Sequence, residues 1–239
     1  MSAPAYARVY IEDIEVVALS RNGGQSSKPF DSLNLAPYVG DDAVAVTANQ
    51  TAVKTLVGAG GISVMNAEHG CVVNVVTKSG LAPAGDGLVS TIPNFALLAL
   101  AADCVPFALA DPVNRVIAVG HAGWRGVLAN VMQSVMDALV AQGGNLNHTQ
   151  AVIGPSICAN CYVVPNERVE RFRGTSSSAI LDESHLDLSA GVRSVLSQNI
   201  SKIHQIAGCT FEDTNLFSYR RANGAPTGRG GLVIVMPSS

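Results

Sequence analysis

The chain has 239 residues, a formal net charge of −3 and 48% hydrophobic composition, enough apolar material to bury a sizeable core. Lys and Arg form no run, which excludes the clustered cationic footprint of a nucleic-acid binder. Glu12 and Asp13 interrupt an N-terminal stretch without the basic and apolar regions of a secretory leader. The five cysteines, Cys71, Cys104, Cys158, Cys161 and Cys209, are odd in number and scattered; free thiols or metal ligands in a cytoplasmic protein are expected rather than a disulfide framework.

Val9 to Leu19 reads as a first strand, Arg21 to Ser27 as a loop, and Ser32 to Leu35 as a short extended piece. Asp41 and Asp42 cap a helix whose apolar face is predicted at Val44, Ala48, Ala52 and Leu56, stopped by Gly58 to Gly61. Val72 to Val76 and Gly87 to Ser90 follow as short strands. The apolar run Ile92 to Ala110 approaches the length of a membrane span, but Asp103, Pro93 and Pro106 within it are costly in lipid. It reads instead as two core strands, Phe95 to Ala101 and Val105 to Ala110, broken at Ala-Asp-Cys, so no membrane partner is expected.

A turn at Asp111 leads to a strand over Val116 to Val119. Gly126 to Gln142 is the clearest helix, with Val127, Leu128, Val131, Val135, Met136 and Leu139 on one face. Ala151 to Ile153 is a further strand, and Asn166 to Phe172 a helical turn or two. Thr175 to Ser178 is the expected disordered loop. Asp187 to Ile203 is a second helix, and Gly231 to Met236 the last strand. Strands outnumber helices and several are consecutive, which predicts an α+β fold over residues 1–239: a single domain of mixed β-sheets packed on each other and flanked by helices.

Chemistry concentrates in Ala101-Ala-Asp-Cys-Val-Pro106 and Gly120-His-Ala-Gly-Trp-Arg-Gly126, each at the end of an apolar strand, and in Glu68-His-Gly70. Two imidazoles and a thiolate from His69, Cys104 and His121 suit a catalytic zinc, which takes three protein ligands and leaves a fourth position for water. The same residues read singly as a buried small thiol and loop histidines. Asp103 and Glu68, each beside one of these residues, are candidate proton carriers or supporting acceptors. Arg125, just before a helix, is a candidate anion contact, as are the guanidinium groups around Arg220 and Arg229. Cys158-Ala-Asn-Cys161 has the spacing of a metal or redox pair but lacks a second such pair. No Gly-rich phosphate loop of the Walker or dinucleotide type occurs at a strand–helix junction.

These motifs, taken in order, resemble one family along almost the whole chain. The matching pieces are Arg21-Asn-Gly-Gly, Ser32-Leu-Asn-Leu35, Val39-Gly-Asp-Asp42, Asn49, Glu68-His-Gly70, Gly85-Asp-Gly-Leu-Val89, Ala102-Asp-Cys-Val-Pro106 and His121-Ala-Gly-Trp-Arg-Gly126. Ile153-Gly-Pro-Ser-Ile157, Cys161-Tyr162, Cys209-Thr210, Phe217-Ser-Tyr-Arg220 and Thr227-Gly-Arg229 complete them. The family was once described as laccase-like multicopper polyphenol oxidases and is now known for purine nucleoside phosphorylase and adenosine deaminase activities; some members are called peptidoglycan editing factors.

The resemblance implies one zinc on His69, Cys104 and His121, and phosphorolysis of adenosine, inosine and methylthioadenosine, with adenosine deamination beside it. It also implies substrate or phosphate contacts near Arg21, Asn34 and Arg220. Three departures stand out: Glu68 where the family more often has Gln, Val163 in place of a frequent Glu, and Ala36 where Gly or Ser is common. Two alternatives stay open: a cysteine hydrolase or amidase using Cys104 with His121 as base, and a non-catalytic editing factor for cell-wall precursors. Copper oxidation fits least, because the copper centres of such enzymes need more histidines than the five present. The sequence leaves the oligomeric state open.

Overall fold

The apolar run from Ile92 onward folds as two strands that belong to different sheets, and the rest of the architecture follows from that crossing. In the computed structural model, which describes residues 4–238, the elements are β1 (Ala5–Ile11), β2 (Ile14–Leu19), α1 (Ala43–Leu56), β3 (Gly61–Asn66), β4 (Val73–Val75), β5 (Gly80–Ala84), β6 (Gly87–Ser90), β7 (Phe95–Ala101), β8 (Val105–Asp111) and β9 (Val116–Ala122). They continue with α2 (Trp124–Leu128), α3 (Val131–Ala141), β10 (Gln150–Ile153), α4 (Asn166–Arg173), α5 (Leu188–Leu196), β11 (Lys202–Gln205), α6 (Tyr219–Ala222) and β12 (Gly230–Met236).

Two six-stranded sheets result, ordered β1-β2-β12-β7-β3-β5 and β11-β10-β8-β9-β6-β4. Both are mixed. β7 runs antiparallel to β12 and parallel to β3, while β9 is antiparallel to β8 and β6. One apolar cluster joins the facing sides of the sheets, with Val16, Leu97, Ala99 and Ile234 from one and Ala108, Ile117, Val119 and Val152 from the other. A second packs α3, α4 and α5 on the outside of the β8 sheet, and a third packs α1 and the segment around Leu33 and Leu35 outside the β7 sheet. The expected single-domain α+β architecture of packed mixed sheets is therefore the one observed. β7 and β8 are covered on both faces, so they read as continuous apolar runs rather than alternating ones.

Several predicted elements differ in detail. The first strand is a hairpin, turned at Glu12, whose φ is 55°. The long helix is two, because Asn130 takes the left-handed conformation and ends the first before α3 begins. The helix expected to run to Ile203 stops at Leu196, and β11 takes its last residues into the sheet beside β10. The segment around Thr175–Ser178, expected to be disordered, is a hydrogen-bonded turn in which the amides of Thr175 and Ser176 both bond to the Phe172 carbonyl. Ser32–Leu35 is irregular rather than a strand.

Helix α1 buries Val46, Asn49 and Val53, not the predicted Val44 stripe, and Val44 is 78% exposed. Asn49 explains the rotation. Its side chain accepts from the Gln25 amide at 2.7 Å and donates to Ser26 Oγ and to the carbonyls of Ser32 and Asn34. A polar residue that satisfies a loop is as good a core position as an apolar one. No helix among the described residues is long and apolar enough to cross a membrane.

Candidate metal centre and cavity

The chain passes from one sheet to the other through Ala102-Asp103-Cys104, between β7 and β8. Asp103 has φ of 96°, a left-handed conformation that a non-glycine residue adopts only under constraint. The constraint is visible. Its carbonyl accepts from the Ile157 amide, and its two carboxylate oxygens accept from Thr210 Oγ1 at 2.7 Å and the Arg220 amide at 2.6 Å. Cys104 follows directly, at the start of β8, where Val105 pairs with Ala122 at the end of β9.

That register brings His121 alongside Cys104. His69 arrives from the loop after β3, also at positive φ (63°). The ligand atoms of His69, Cys104 and His121 all lie within 4.8 Å of one another, and the two rings meet edge to face with centroids 5.0 Å apart. His121 is buried, Cys104 half-buried and His69 exposed at the mouth. Gly123 makes the convergence possible: a Cβ there would sit 2.9 Å from His69 Cδ2 and 3.0 Å from Cys104 Sγ.

Asp86, fully buried just before β6, organises the histidine side. One oxygen accepts from the His69 amide at 2.9 Å and pairs with His121 Nδ1 at 2.8 Å; the other accepts from the amides of Glu68 and Gly70 at 3.2 and 2.7 Å. With Nδ1 engaged, His121 keeps Nε2 for the site, the arrangement by which a carboxylate orients an imidazole ligand. The electrostatics are those of a coupled pair. Burial raises the Cys104 thiol, but the charges and hydrogen bonds of His121 and His69 outweigh it and bring it down to about 6. Burial lowers His121, yet Cys104 and Asp86 carry it up to about 9. Asp86 stays below the usual carboxylate range despite burial, chiefly through its bond to His121.

The trio opens into a cavity of about 430 Å³, also lined by Asp103, Tyr38, Trp124, Tyr162 and Tyr219 and by Arg125, Arg168, Arg220 and Arg229. This size suits a small-molecule ligand. Arg125 and Arg168 each lie 4.7 Å from the Trp124 ring centroid, with Arg171 at 5.1 Å. Arg220 covers Tyr162 at 5.1 Å and Arg229 lies 5.7 Å from the Tyr219 ring centroid. A larger depression of about 920 Å³ over α1 carries no titratable side chain among the described residues.

The fold thus brings together His69, Cys104, His121, Asp103, Arg125 and Arg220. Arg21 and Asn34 are engaged elsewhere. The Arg21 guanidinium bonds the Asp31 carbonyl at 2.8 Å and stacks over Phe217. Asn34 is fully buried; it donates to Asp41 and accepts from the amides of Ala36 and Arg229. Its bond to the Arg229 amide gives it an indirect link to the cavity. The residues that sequence reasoning passed over are Asp86 and Arg168. Glu68, expected to relay protons, is exposed, and its backbone amide donates to Asp86.

The donor set fits a metal ion. A soft sulfur and two nitrogens converge within bonding reach, a buried carboxylate fixes one imidazole, and the third side faces an open cavity.

The chain is similar to known proteins along most of its length. The sequence pattern of the family described as multi-copper polyphenol oxidoreductase laccase matches residues 15–237. A purine nucleoside phosphorylase of Streptomyces griseus is 38% identical over 212 residues, 84% of this chain and 86% of its own. An adenosine deaminase from an unknown prokaryote is 29% identical over 237 residues, 88% of this chain and 90% of its own. The crystal structure of the Bacillus licheniformis hypothetical protein YfiH superposes with a TM-score of 0.86 at 28% identity, covering 98% of this chain and 97% of that one.

Proposed function

The chain belongs to the family described as multi-copper polyphenol oxidoreductase laccase, and on that premise we propose that it is a zinc-dependent purine nucleoside phosphorylase with a companion adenosine deaminase activity. The observation that carries the reading is the His69–Cys104–His121 trio opening into a cavity whose walls combine aromatic rings with four guanidinium groups. Aromatic faces suit a purine, and fixed guanidinium forks suit phosphate oxygens. Relatives that bear the names purine nucleoside phosphorylase and adenosine deaminase support the substrate class.

In phosphorolysis a phosphate oxygen forms a bond to the ribose anomeric carbon as the bond to the base nitrogen breaks, and the base leaves with a proton. Arg125, Arg168 and Arg229 would hold the phosphate, and charge that develops during bond breaking would meet a cationic wall already in place. Trp124, Tyr38 and Tyr162 would bracket the base. Asp103 acts through the residues it holds, because both its oxygens already accept hydrogen bonds from Thr210 and Arg220. In deamination, water oxygen bonds to the ring carbon that carries the amino group and ammonia departs. His69, Cys104 and His121 would hold the zinc, whose Lewis acidity makes water a nucleophile near neutral pH.

The test is to assay the purified protein with inosine and phosphate, and with adenosine, alongside its metal content. Release of hypoxanthine that requires phosphate, and its loss in Cys104→Ala together with the zinc, is the expected result. Full nucleoside turnover by a zinc-free preparation, or unchanged rates in Cys104→Ala, would overturn it. One observation favours a second reading: Cys104 Sγ and the His121 ring lie within 4.8 Å, and a thiol brought down to about 6 beside an imidazole carried up to about 9 also suits a cysteine nucleophile and its base. Alkylation of Cys104 distinguishes the two, since bound zinc protects the thiol in the first and not in the second.

A further inference from the structure

A second cluster, of four residues, lies next to Thr210, the residue that donates to Asp103. Cys158 and Cys161 sit in the loop after β10, and Cys209 and Glu212 in the segment after β11. Their ligand atoms, three Sγ and a carboxylate oxygen, lie within 4.8 Å of one another. We propose that Cys158, Cys161, Cys209 and Glu212 form a structural zinc site, separate from the His69–Cys104–His121 centre.

Three observations carry this. The spacing is paired: Cys158-Ala-Asn-Cys161 is matched by Cys209-Thr-Phe-Glu212, so each loop offers two ligands separated by two residues, as in short zinc-binding turns. The two turns are already docked as such sites require, with the Cys158 amide donating to Cys209 Sγ at 3.3 Å and Cys161 Sγ 3.5 Å from Glu212 Oε1. A backbone bridge from Ser156 to Cys209, with the Thr210 amide on the Ser156 carbonyl at 3.1 Å, fixes their register. Finally, all three cysteines are free. A disulfide between any two would leave the third thiol and the carboxylate without a role, whereas tetrahedral zinc uses all four groups and releases the three thiol protons on binding.

The position gives the ion its purpose. Thr210 follows Cys209 directly and donates to Asp103; Tyr162 follows Cys161 and lines the cavity beside Arg220. A metal joining the two loops would clamp the wall that Asp103, Tyr162 and Arg220 build, with no contact to substrate. The four residues are structural in this sense and positioning in effect.

Metal analysis of the full-length protein, purified under reducing conditions with zinc supplied and the excess removed, tests the assignment. Two zinc ions per chain are expected, falling to one in Cys209→Ser and to one in Cys104→Ala, and to none when both are replaced. Because Cys104→Ala removes only the other ion, failure of the nucleoside-site reading leaves this test intact. One zinc per chain, lost in Cys104→Ala and retained in Cys209→Ser, would overturn the proposal. So would a disulfide among these cysteines in the protein taken directly from reducing cells. Should Cys209→Ser fail to fold, cobalt(II) reconstitution of the unmodified protein decides. A thiolate-to-cobalt band that persists when Cys104 is absent supports the site, and its disappearance in Cys104→Ala overturns it.

Discussion

Replacing Asp86 with Asn should separate the organisation of the site from its ligands. The two oxygens of Asp86 serve four donors: His69 N and His121 Nδ1 on one, Glu68 N and Gly70 N on the other. An asparagine of the same shape keeps one oxygen, so two donors are left facing an NH₂ group whichever way the amide turns. Each lost hydrogen bond to a charged acceptor is worth about 1.5–3 kcal/mol, so a rigid site would lose about 3–6 kcal/mol. Movement of the exposed 68–70 loop relieves part of that, and about 3 kcal/mol of stability is the expected loss. The imidazole also loses the carboxylate that fixes its ring, which should weaken metal affinity by about 10–100-fold. Urea unfolding of the metal-free protein gives the first quantity and competition with a zinc-binding dye the second. If Asp86→Asn stays within about 1 kcal/mol of the parent and binds zinc equally well, the reasoning about this carboxylate is wrong.

Gly123→Ala tests convergence by adding one methyl group. Gly123 has φ of −77° and ψ of 175°, open to any residue, so only contacts of the new Cβ with His69 and Cys104 matter; a drop of about 100-fold in kcat/KM with little change in Tm is expected, and an unaltered rate would refute it. Proton release on zinc binding follows from the pair of values near 6 and 9. Zinc takes thiolate and neutral imidazole, so in Cys209→Ser, which leaves only the trio to bind, zinc binding between those values should release one proton from His121, none above about 9 and a second from Cys104 below about 6, as read by calorimetry in buffers of different protonation enthalpy. Asp111, fully buried, accepts from Val113, Asn114 and Asn145 and is held below the usual carboxylate range by the Asn114, Asn145 and Val113 bonds, which outweigh burial. Its folded-state value is depressed, so its stabilisation is present above the unfolded value of about 3.9 and fades as pH falls through the folded one; Asp111→Asn should destabilise by about 3 kcal/mol at neutral pH and the gap should close in acid.

How much of this was legible depended on whether a residue's role was local. The strands on either side of Asp103 and the buried face of α3 are local apolar patterns, and the sequence reading located them. The trio was legible because each member ends an apolar strand or borders a glycine. Asp86 was not, since its partners are three backbone amides sixteen to eighteen positions away and an imidazole thirty-five away, which no side-chain pattern announces; Gly85-Asp-Gly, with a small residue on each side, was the available signal. Arg168 lies in Asn166–Arg173, where charged residues predominate, and nothing local separates the arginine that turns inward over Trp124 from its exposed neighbours. The α1 face was misread because counting apolar residues discards Asn49. β3 was hidden behind Gly60-Gly61, which read as a helix stop, and β5 behind Pro83, which an edge strand tolerates.

The two buried aspartates show why the site sits where it does. Asp103 precedes Cys104 and Asp86 holds the His121 ring, and each gathers a segment remote in sequence: Asp103 takes Thr210 and the Arg220 amide, Asp86 takes the 68–70 amides. Both sheets contribute, because β3 and β7 lead into the site from one and β8 and β9 from the other. An end of a sandwich where strands change sheets has few ladder bonds left to hold its loops. Buried carboxylates supply that order instead, since an ionised oxygen can accept several N–H groups at once. The left-handed backbone at Asp103 and His69 is tolerated on the same account: the conformational cost, roughly 1–3 kcal/mol each, is offset by hydrogen bonds that form only in that geometry. The aspartates therefore belong to the architecture of the site although neither joins the trio, and His69, Cys104 and His121 without them would not hold this arrangement.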